Sequence, residues 1–99
     1  MENNNIINSN TIIRRNETKF IANKLGEEMV MMNMENGDFI SMNNVGADIW
    51  NLSQEPVSVK ELIQKLLDLY NITEDQCMNE TIQFLKTSTE QNLFTFHNS

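Results

Sequence analysis

Cys77 and His97 carry the side chains best suited to nucleophilic catalysis or metal binding, and each is the only residue of its type in the chain. Glu74 and Glu80 flank Cys77 on a predicted helix, so their charges are expected to raise the pKa of its thiol and suppress the reactive thiolate. One cysteine and one histidine do not make a structural zinc site, and three glycines do not make a glycine-rich phosphate loop. The sequence therefore predicts a protein that is not an enzyme and uses no cofactor or metal.

The overall charge of the chain narrows the class of partner. Its 99 residues, enough for one domain, carry a net charge of −7, and the basic residues are scattered along the sequence. Nucleic acid is thus not expected as a partner, whereas a basic or neutral peptide is easier to accept. The sequence shows neither a secretory signal nor an apolar run of the roughly 20 residues that a membrane span requires. We therefore expect a cytoplasmic protein without a membrane partner.

The region from Met29 to Trp50 gives the strongest structural signal. Asn36-Gly37 between two apolar runs is typical of a β-hairpin, and predicts strands over residues 28–34 and 38–42, preceded by a strand over residues 18–25. The last strand is short and ends the sheet, so its outer edge is expected to accept an extended peptide as a further strand. Proline at Ile40 is expected to remove a donor from this edge. If Ile40 faces the helices, strand alternation sends Phe39 to the opposite face.

Three helices are predicted after the strands, each with a polar residue at its start. Asn43 or Asn44, Ser58 and Thr73 are the expected caps, and the third helix is expected to run from about Glu74 to Gln91. Gly46 is costly inside the first helix and suggests close packing. The third helix has an expected core stripe and a neighbouring semi-apolar stripe that is wider than one buried face requires. The core stripe is Met78, Ile82, Leu85 and Thr89, and the neighbouring stripe is Cys77, Thr81, Phe84 and Ser88.

The order of these elements predicts an α+β domain, a winged helix-turn-helix-like arrangement with one three-stranded antiparallel sheet followed by three helices. The polar, Asn-rich start of the sequence predicts a disordered N-terminal tail over residues 1–16. The domain is expected over residues 17–96, with a C-terminal tail over 97–99. Leu93 to Phe96 form a short apolar segment that can pack back on the domain.

The ordered set of motifs resembles the PqqD family, small recognition elements for ribosomally made, post-translationally modified peptides. The family pattern consists of apolar pairs, a glycine turn, an aromatic strand and an Ile-Trp pair, and six segments of this chain are similar to it. The likeness continues through both later helices to Phe96. The six segments are Met31-Met32-Asn33-Met34, Gly37, Phe39-Ile40, Met42-Asn43, Val45-Gly46 and Ile49-Trp50.

The resemblance implies a non-catalytic module that holds the leader of a precursor peptide as an added strand and presents the peptide to a processing enzyme. A protease and cyclase that make lasso peptides are the favoured partners, and a radical-SAM enzyme is the other possibility. The implied peptide-binding residues are Asp38, Phe39, Ile40, Ser41, Met42, Cys77, Glu80, Thr81, Phe84 and Ser88.

Two other functions are alternatives to the interpretation as a peptide-binding module. One is a winged-helix domain that binds DNA or assists transcription, although Glu74 and Asp75 place negative charge at the start of the third helix. The other is a structural subunit of a larger complex, in which a partner protein covers the open strand edge permanently.

Overall fold

A computed structural model of the chain describes residues 7–26 and 28–97. This part of the chain is an α+β domain with antiparallel strands and three helices, which confirms the predicted class. In chain order the elements are β1 (Ile12–Arg15), β2 (Phe20–Leu25), β3 (Glu28–Asn33), β4 (Phe39–Met42), α1 (Asn44–Leu52), β5 (Val57–Ser58), α2 (Val59–Leu69), α3 (Glu74–Thr89) and β6 (Phe94–His97).

The predicted meander is present as a sheet with the strand order β2-β3-β4. Its second turn is closed by side chains as well as backbone: the amide oxygen of Asn33 accepts from the N–H of Glu35, and that of Asn36 accepts from the N–H of Asp38. Gly37 adopts a positive φ of 79°, a conformation that other L-residues rarely adopt. The hydrogen bonds and backbone conformation of this turn depend on local residue types, which explains why the hairpin could be predicted from the sequence.

A second three-stranded sheet, with the order β5-β1-β6, was not expected and corrects the prediction of a single sheet. β1 lies inside the range assigned to a disordered N-terminal tail, and Ile13 within it is completely buried. The apolar segment near the end of the chain packs back as β6, with Phe96 opposite Ile13. Residues 1–6 and 98–99 of the predicted tails lie outside the described residues.

This second sheet also connects the start of the chain to α2. The N–H groups of Val59 and Lys60 donate to the carbonyls of Thr11 and Ser9 at 2.9 Å each. The first backbone donors of a helix have no partner inside the helix, so the segment before β1 satisfies two of them. The chain before residue 17 is thus part of the folded unit where the structure describes it.

The three predicted helix caps are confirmed. The side chains of Asn43, Ser58 and Thr73 accept hydrogen bonds of 2.8 to 3.1 Å from the backbone N–H three residues later. Each cap satisfies one of the unpaired donors of the first turn and is worth about 1 kcal/mol. These short-range contacts place the starts of α1, α2 and α3 where the sequence indicated.

The core lies between the two sheets and the helices, and the face of α3 that enters it overlaps the predicted stripe only in part. Leu85 of the predicted core stripe is completely buried, but Met78, Ile82 and Thr89 are only half-buried. Cys77, Thr81 and Ser88 of the neighbouring stripe are enclosed. Small residues allow α3 to pack closely against α2. On the other side of the core, the rings of Trp50 and Phe94 meet edge to face at 5.8 Å between centroids, joining α1 to β6. The fully buried large apolar residues are Ile13, Met31, Ile49, Val59, Leu62, Ile63, Leu66 and Leu85.

None of the helices in the described part of the chain is long and apolar enough to cross a membrane.

Candidate functional site at an open sheet edge

β4 is the end strand of its sheet, and no other described strand pairs with its outer side. The N–H of Asn33 donates to the carbonyl of Asp38 at 2.8 Å, which sets the phase of the β3–β4 ladder. Because antiparallel strands alternate hydrogen-bonded and non-bonded pairs, Ile40 and Met42 also turn their backbone groups toward β3. The backbone N–H and C=O groups of Phe39 and Ser41 therefore point away from the sheet.

This phase corrects one detail of the sequence prediction. Ile40 lies opposite Met31, and its N–H serves the internal ladder rather than the open edge. Proline at Ile40 would consequently break the hairpin, whereas the edge donors that an added strand can use belong to Phe39 and Ser41. The sequence identified the strand correctly but could not fix which residues face outward.

The side chains of β4 alternate as expected. Met42 is buried and Ile40 is half-buried on the helix side, whereas Phe39 is 69% exposed on the opposite face. Strand register places Ile21, Met32 and Phe39 in one row across that outer face. A peptide added to β4 would thus have alternate side chains on the helix side of the sheet and on the outer side.

The helix side of β4 faces α3, and the two elements approach each other at Gly46. A Cβ at Gly46 would lie 3.0 Å from Cε1 of Phe84 and 3.1 Å from Sδ of Met42. The ring of Phe84 also packs against Phe94 at 6.0 Å between centroids. The glycine thus confirms the close packing predicted for it, and Phe84 is brought together with β4.

The other end of β4 opens into a cleft of about 490 Å³ between the hairpin turn and the last turn of α3. Asp38, Phe39 and Ile40 line it from the start of the strand, and Glu90 and Gln91 line it from the turn that follows α3. Since Phe84 lies by the end of β4 and Glu90 by its beginning, α3 runs antiparallel to the strand. We call the space between β4 and α3, from this cleft to Phe84, the groove.

The predicted helix wall is only partly accessible. Cys77, Thr81 and Ser88 are 2%, 1% and 3% exposed, so they present almost no surface to a peptide in this structure. Glu80 is exposed and Phe84 is half-buried, and the two lie four residues apart on one flank of the helix. The roles of the predicted helix residues in peptide binding stay predictions, and this flank is the part of α3 that faces the groove.

Glu90, Gln91 and Asn92 were missed in the sequence. The signal available was the sequence spacing from Glu80 through Phe84 to Gln91, although α3 itself ends at Thr89. Asn92 carries a positive φ of 60° just after the helix, a common way to end one. Because these residues are polar, the sequence did not indicate that they lie at the mouth of the groove.

Carboxylates surround this edge. Asp38 and Glu90 line the cleft, Glu35 lies on the turn beside it, and Glu80 is exposed on the groove flank of α3. The ammonium group of Lys19 approaches Glu35 at 3.8 Å and offsets part of this charge. The mouth of the groove therefore favours a neutral or basic peptide over an acidic one.

Cys77 has an environment that suits packing and not nucleophilic attack. Burial raises the pKa of its thiol, the carboxylates of Glu80 and Glu74 raise it further, and the side chain of Thr81 opposes the shift. A raised pKa lowers the fraction of reactive thiolate at neutral pH. The direction of the shift is the one predicted from the acidic residues on the same helix.

Two comparisons with known proteins identify what this chain is similar to. The family described as Coenzyme PQQ synthesis protein D (PqqD) matches residues 28–93, which is more than half of the chain. A solved structure described as TbiB1 in complex with the TbiA(beta) leader peptide matches with a TM-score of 0.74 and covers 87% of this chain and 99% of that chain. Its sequence identity is 16%, so this likeness shows a common fold. No curated protein sequence matches the chain.

Proposed function

The chain belongs to the PqqD family, and from this premise we propose that it is a non-catalytic module that binds the leader segment of a ribosomally made, post-translationally modified peptide. The module presents the bound precursor to a processing enzyme. The observation that carries the proposal is the open edge of β4, where Phe39 and Ser41 offer outward backbone groups beside the groove of α3.

The proposed mode of binding is strand addition. An extended peptide pairs its backbone with Phe39 and Ser41, which supplies affinity without requiring a particular sequence. Selectivity comes from the alternate side chains that enter the groove beside Ile40, Met42 and Phe84. These three side chains are apolar, so the leader is expected to carry apolar residues two positions apart.

The fold comparison supports leader binding, because the protein of the same fold is described in complex with a leader peptide. The acidic mouth of the groove favours a leader with neutral or basic residues at the end that lies by Asp38 and Glu90. The same charge, together with the net charge of −7, disfavours the competing reading as a DNA-binding domain. A cytoplasmic location follows from this role in peptide biosynthesis.

Of the enzyme classes that act on such precursors, we favour the protease and cyclase of a lasso-peptide pathway as partners. The apolar groove of Ile40, Met42 and Phe84 is the feature that supports this choice. A radical-SAM enzyme is the second candidate. Copurification of the chain with each enzyme, in the presence and absence of the precursor, separates the two.

The test of the proposed function is an NMR titration of the isotope-labelled chain with the leader peptide of a precursor encoded beside it. Strand addition predicts that the largest shifts occur at the amides of Phe39 and Ser41 and on the groove flank of α3, around Phe84. A scrambled leader of the same composition is the control. Absence of shifts at a large excess of leader, or equal shifts with the scrambled peptide, would refute the proposal.

A further inference from the structure

β2 is the second open edge of the same sheet, and no described strand pairs with its outer side. The N–H of Met34 donates to the carbonyl of Lys19 at 2.8 Å, which sets the phase of the β2–β3 ladder. Ile21 and Asn23 therefore turn their backbone groups toward β3. Ala22 and Lys24 turn theirs outward, so this edge offers donors and acceptors with the spacing of an antiparallel strand.

A cleft of about 460 Å³ runs along the edge of β2. Ala22 and Lys24 line it from the strand, Trp50 and Asn51 line it from the end of α1, and Arg15 lines it from β1. The β2 edge thus resembles the β4 edge, since each is an end strand beside a groove that a helix helps to line. The two edges lie on opposite sides of the sheet.

Arg15 is held in place within this cleft. Its guanidinium lies 5.4 Å from the centroid of the Trp50 ring, and Nη1 donates to the carbonyl of Trp50 at 3.5 Å. Nε donates to Oε2 of Glu17 at 2.6 Å. The side chain is 18% exposed, so its charge stays near the edge and loses little conformational entropy when a ligand binds.

The charge along this edge is opposite to that of the chain as a whole. Arg15, Lys24 and Glu17 are the charged residues that line this cleft, two basic and one acidic, which gives a net charge of +1 in a chain of −7. Lys19 lies instead at the cleft beside β4, near Glu35, and Arg14 lines another cleft. The two edges of one sheet therefore carry opposite charge, since carboxylates surround the edge of β4.

We propose that the edge of β2 is a second docking edge, which binds an acidic, extended segment of a partner polypeptide. Backbone pairing at Ala22 and Lys24 holds the segment, and its carboxylates meet Arg15 and Lys24. Charge complementarity directs the acidic segment to β2 and a neutral or basic peptide to β4, so both edges can be occupied at once. This site does not depend on the peptide proposed for β4.

The test uses the full labelled chain and a short acetylated and amidated peptide of alternating glutamate and valine. Shifts are expected at the amides of Ala22 and Lys24 and at the indole N–H of Trp50, and they are expected to shrink as salt is added. The matched control is the peptide of alternating lysine and valine. Equal shifts with both peptides, shifts confined to the edge of β4, or no shifts at all would overturn the proposal.

Charge-reversal variants sharpen the test without disturbing the core. Lys24→Glu lies on the exposed edge, and it is expected to weaken binding of the acidic peptide roughly three- to tenfold. Lys65→Glu makes the same charge change on the exposed side of α2 and is expected to leave binding within twofold, about the size of a remote charge effect. Equal weakening of peptide binding by both variants would show that affinity depends only on the net charge of the chain, and it would overturn the proposed site.

Two further outcomes assign the edge to another occupant. If a DNA oligomer shifts the same signals at the same concentration, the ligand of this edge is a phosphate group and not an acidic polypeptide segment. Shifts at both edges that grow with protein concentration, without any peptide, would show that the basic edge of one chain binds the acidic edge of another.

Discussion

The hydroxyl of Tyr70 donates a hydrogen bond of 2.5 Å to Oδ2 of Asp48, which joins the end of α2 to α1. This bond, together with burial and the negative charge of Asp48, raises the pKa of Tyr70 to about 12. The contact fixes α1 between β4 and α2, close to the position where Gly46 meets Phe84.

Tyr70→Phe is expected to lower the free energy of unfolding by about 1 kcal/mol, the usual net value of one hydrogen bond. The raised pKa gives this contribution a pH dependence. It is fully present below pH 10, the ordinary pKa of tyrosine, and is lost as the pH rises to about 12, because the unfolded chain loses the proton first. Urea unfolding of both proteins across this range should show their difference shrinking with pH, and a constant difference would contradict the assignment.

Ser41→Pro is expected to weaken leader binding by about tenfold or more, because it removes an outward N–H from the open edge. Ser41→Ala keeps that N–H and should bind like the wild type. Fluorescence anisotropy of a labelled leader measures both. Ile40→Pro breaks the internal ladder and should unfold the hairpin, which circular dichroism detects. Tight binding by a folded Ser41→Pro protein would exclude strand addition at β4.

Phe84→Ala is expected to weaken leader binding by about tenfold or more, as truncation of an aromatic anchor usually does. Ile82→Ala is the matched control, since Ile82 is also half-buried against the core but lies on the other flank of α3. Both variants should lose stability, and only Phe84→Ala should lose affinity. Equal losses of affinity would show that α3 acts through general packing.

Gly46→Ala is expected to reduce leader affinity more than stability. The added methyl would lie 3.0 Å from the ring of Phe84, so the ring must move toward the groove. Alanine gains about 1 kcal/mol of helix propensity over glycine, which offsets much of the packing cost. Thermal unfolding and leader titration of the same sample separate the two effects, and a variant with unchanged affinity would show that the ring has room to move elsewhere.

Ile13→Ala is expected to cost about 2 to 5 kcal/mol of unfolding free energy, because it removes a fully buried side chain from β1. Ile12→Ala, at a half-buried position of the same strand, should cost clearly less. Urea unfolding measures both variants. A loss below 1 kcal/mol for Ile13→Ala, about the size of a surface effect, would show that β1 contributes little to the fold.

Features that depend on neighbouring residues were determined by the sequence itself. The hairpin at Asn36-Gly37 and the caps at Asn43, Ser58 and Thr73 are formed by atoms within three or four residues of one another. Their energetics are local, so residue type and spacing were sufficient to predict them. The open edge of β4 followed from this local order.

The tertiary structure alone decided features that depend on distant pairing or on small differences in packing. β1 pairs with β6 about 80 residues away, and two isoleucines in a polar segment give no sign of that partner. The buried face of α3 was decided by how closely small side chains let it approach α2, which no helical period specifies. The phase of the ladder, set by the bond from Asn33 to Asp38, chose Phe39 and Ser41 as the outward residues. A shift of one residue would exchange every donor on that edge, and only the assembled sheet fixes it.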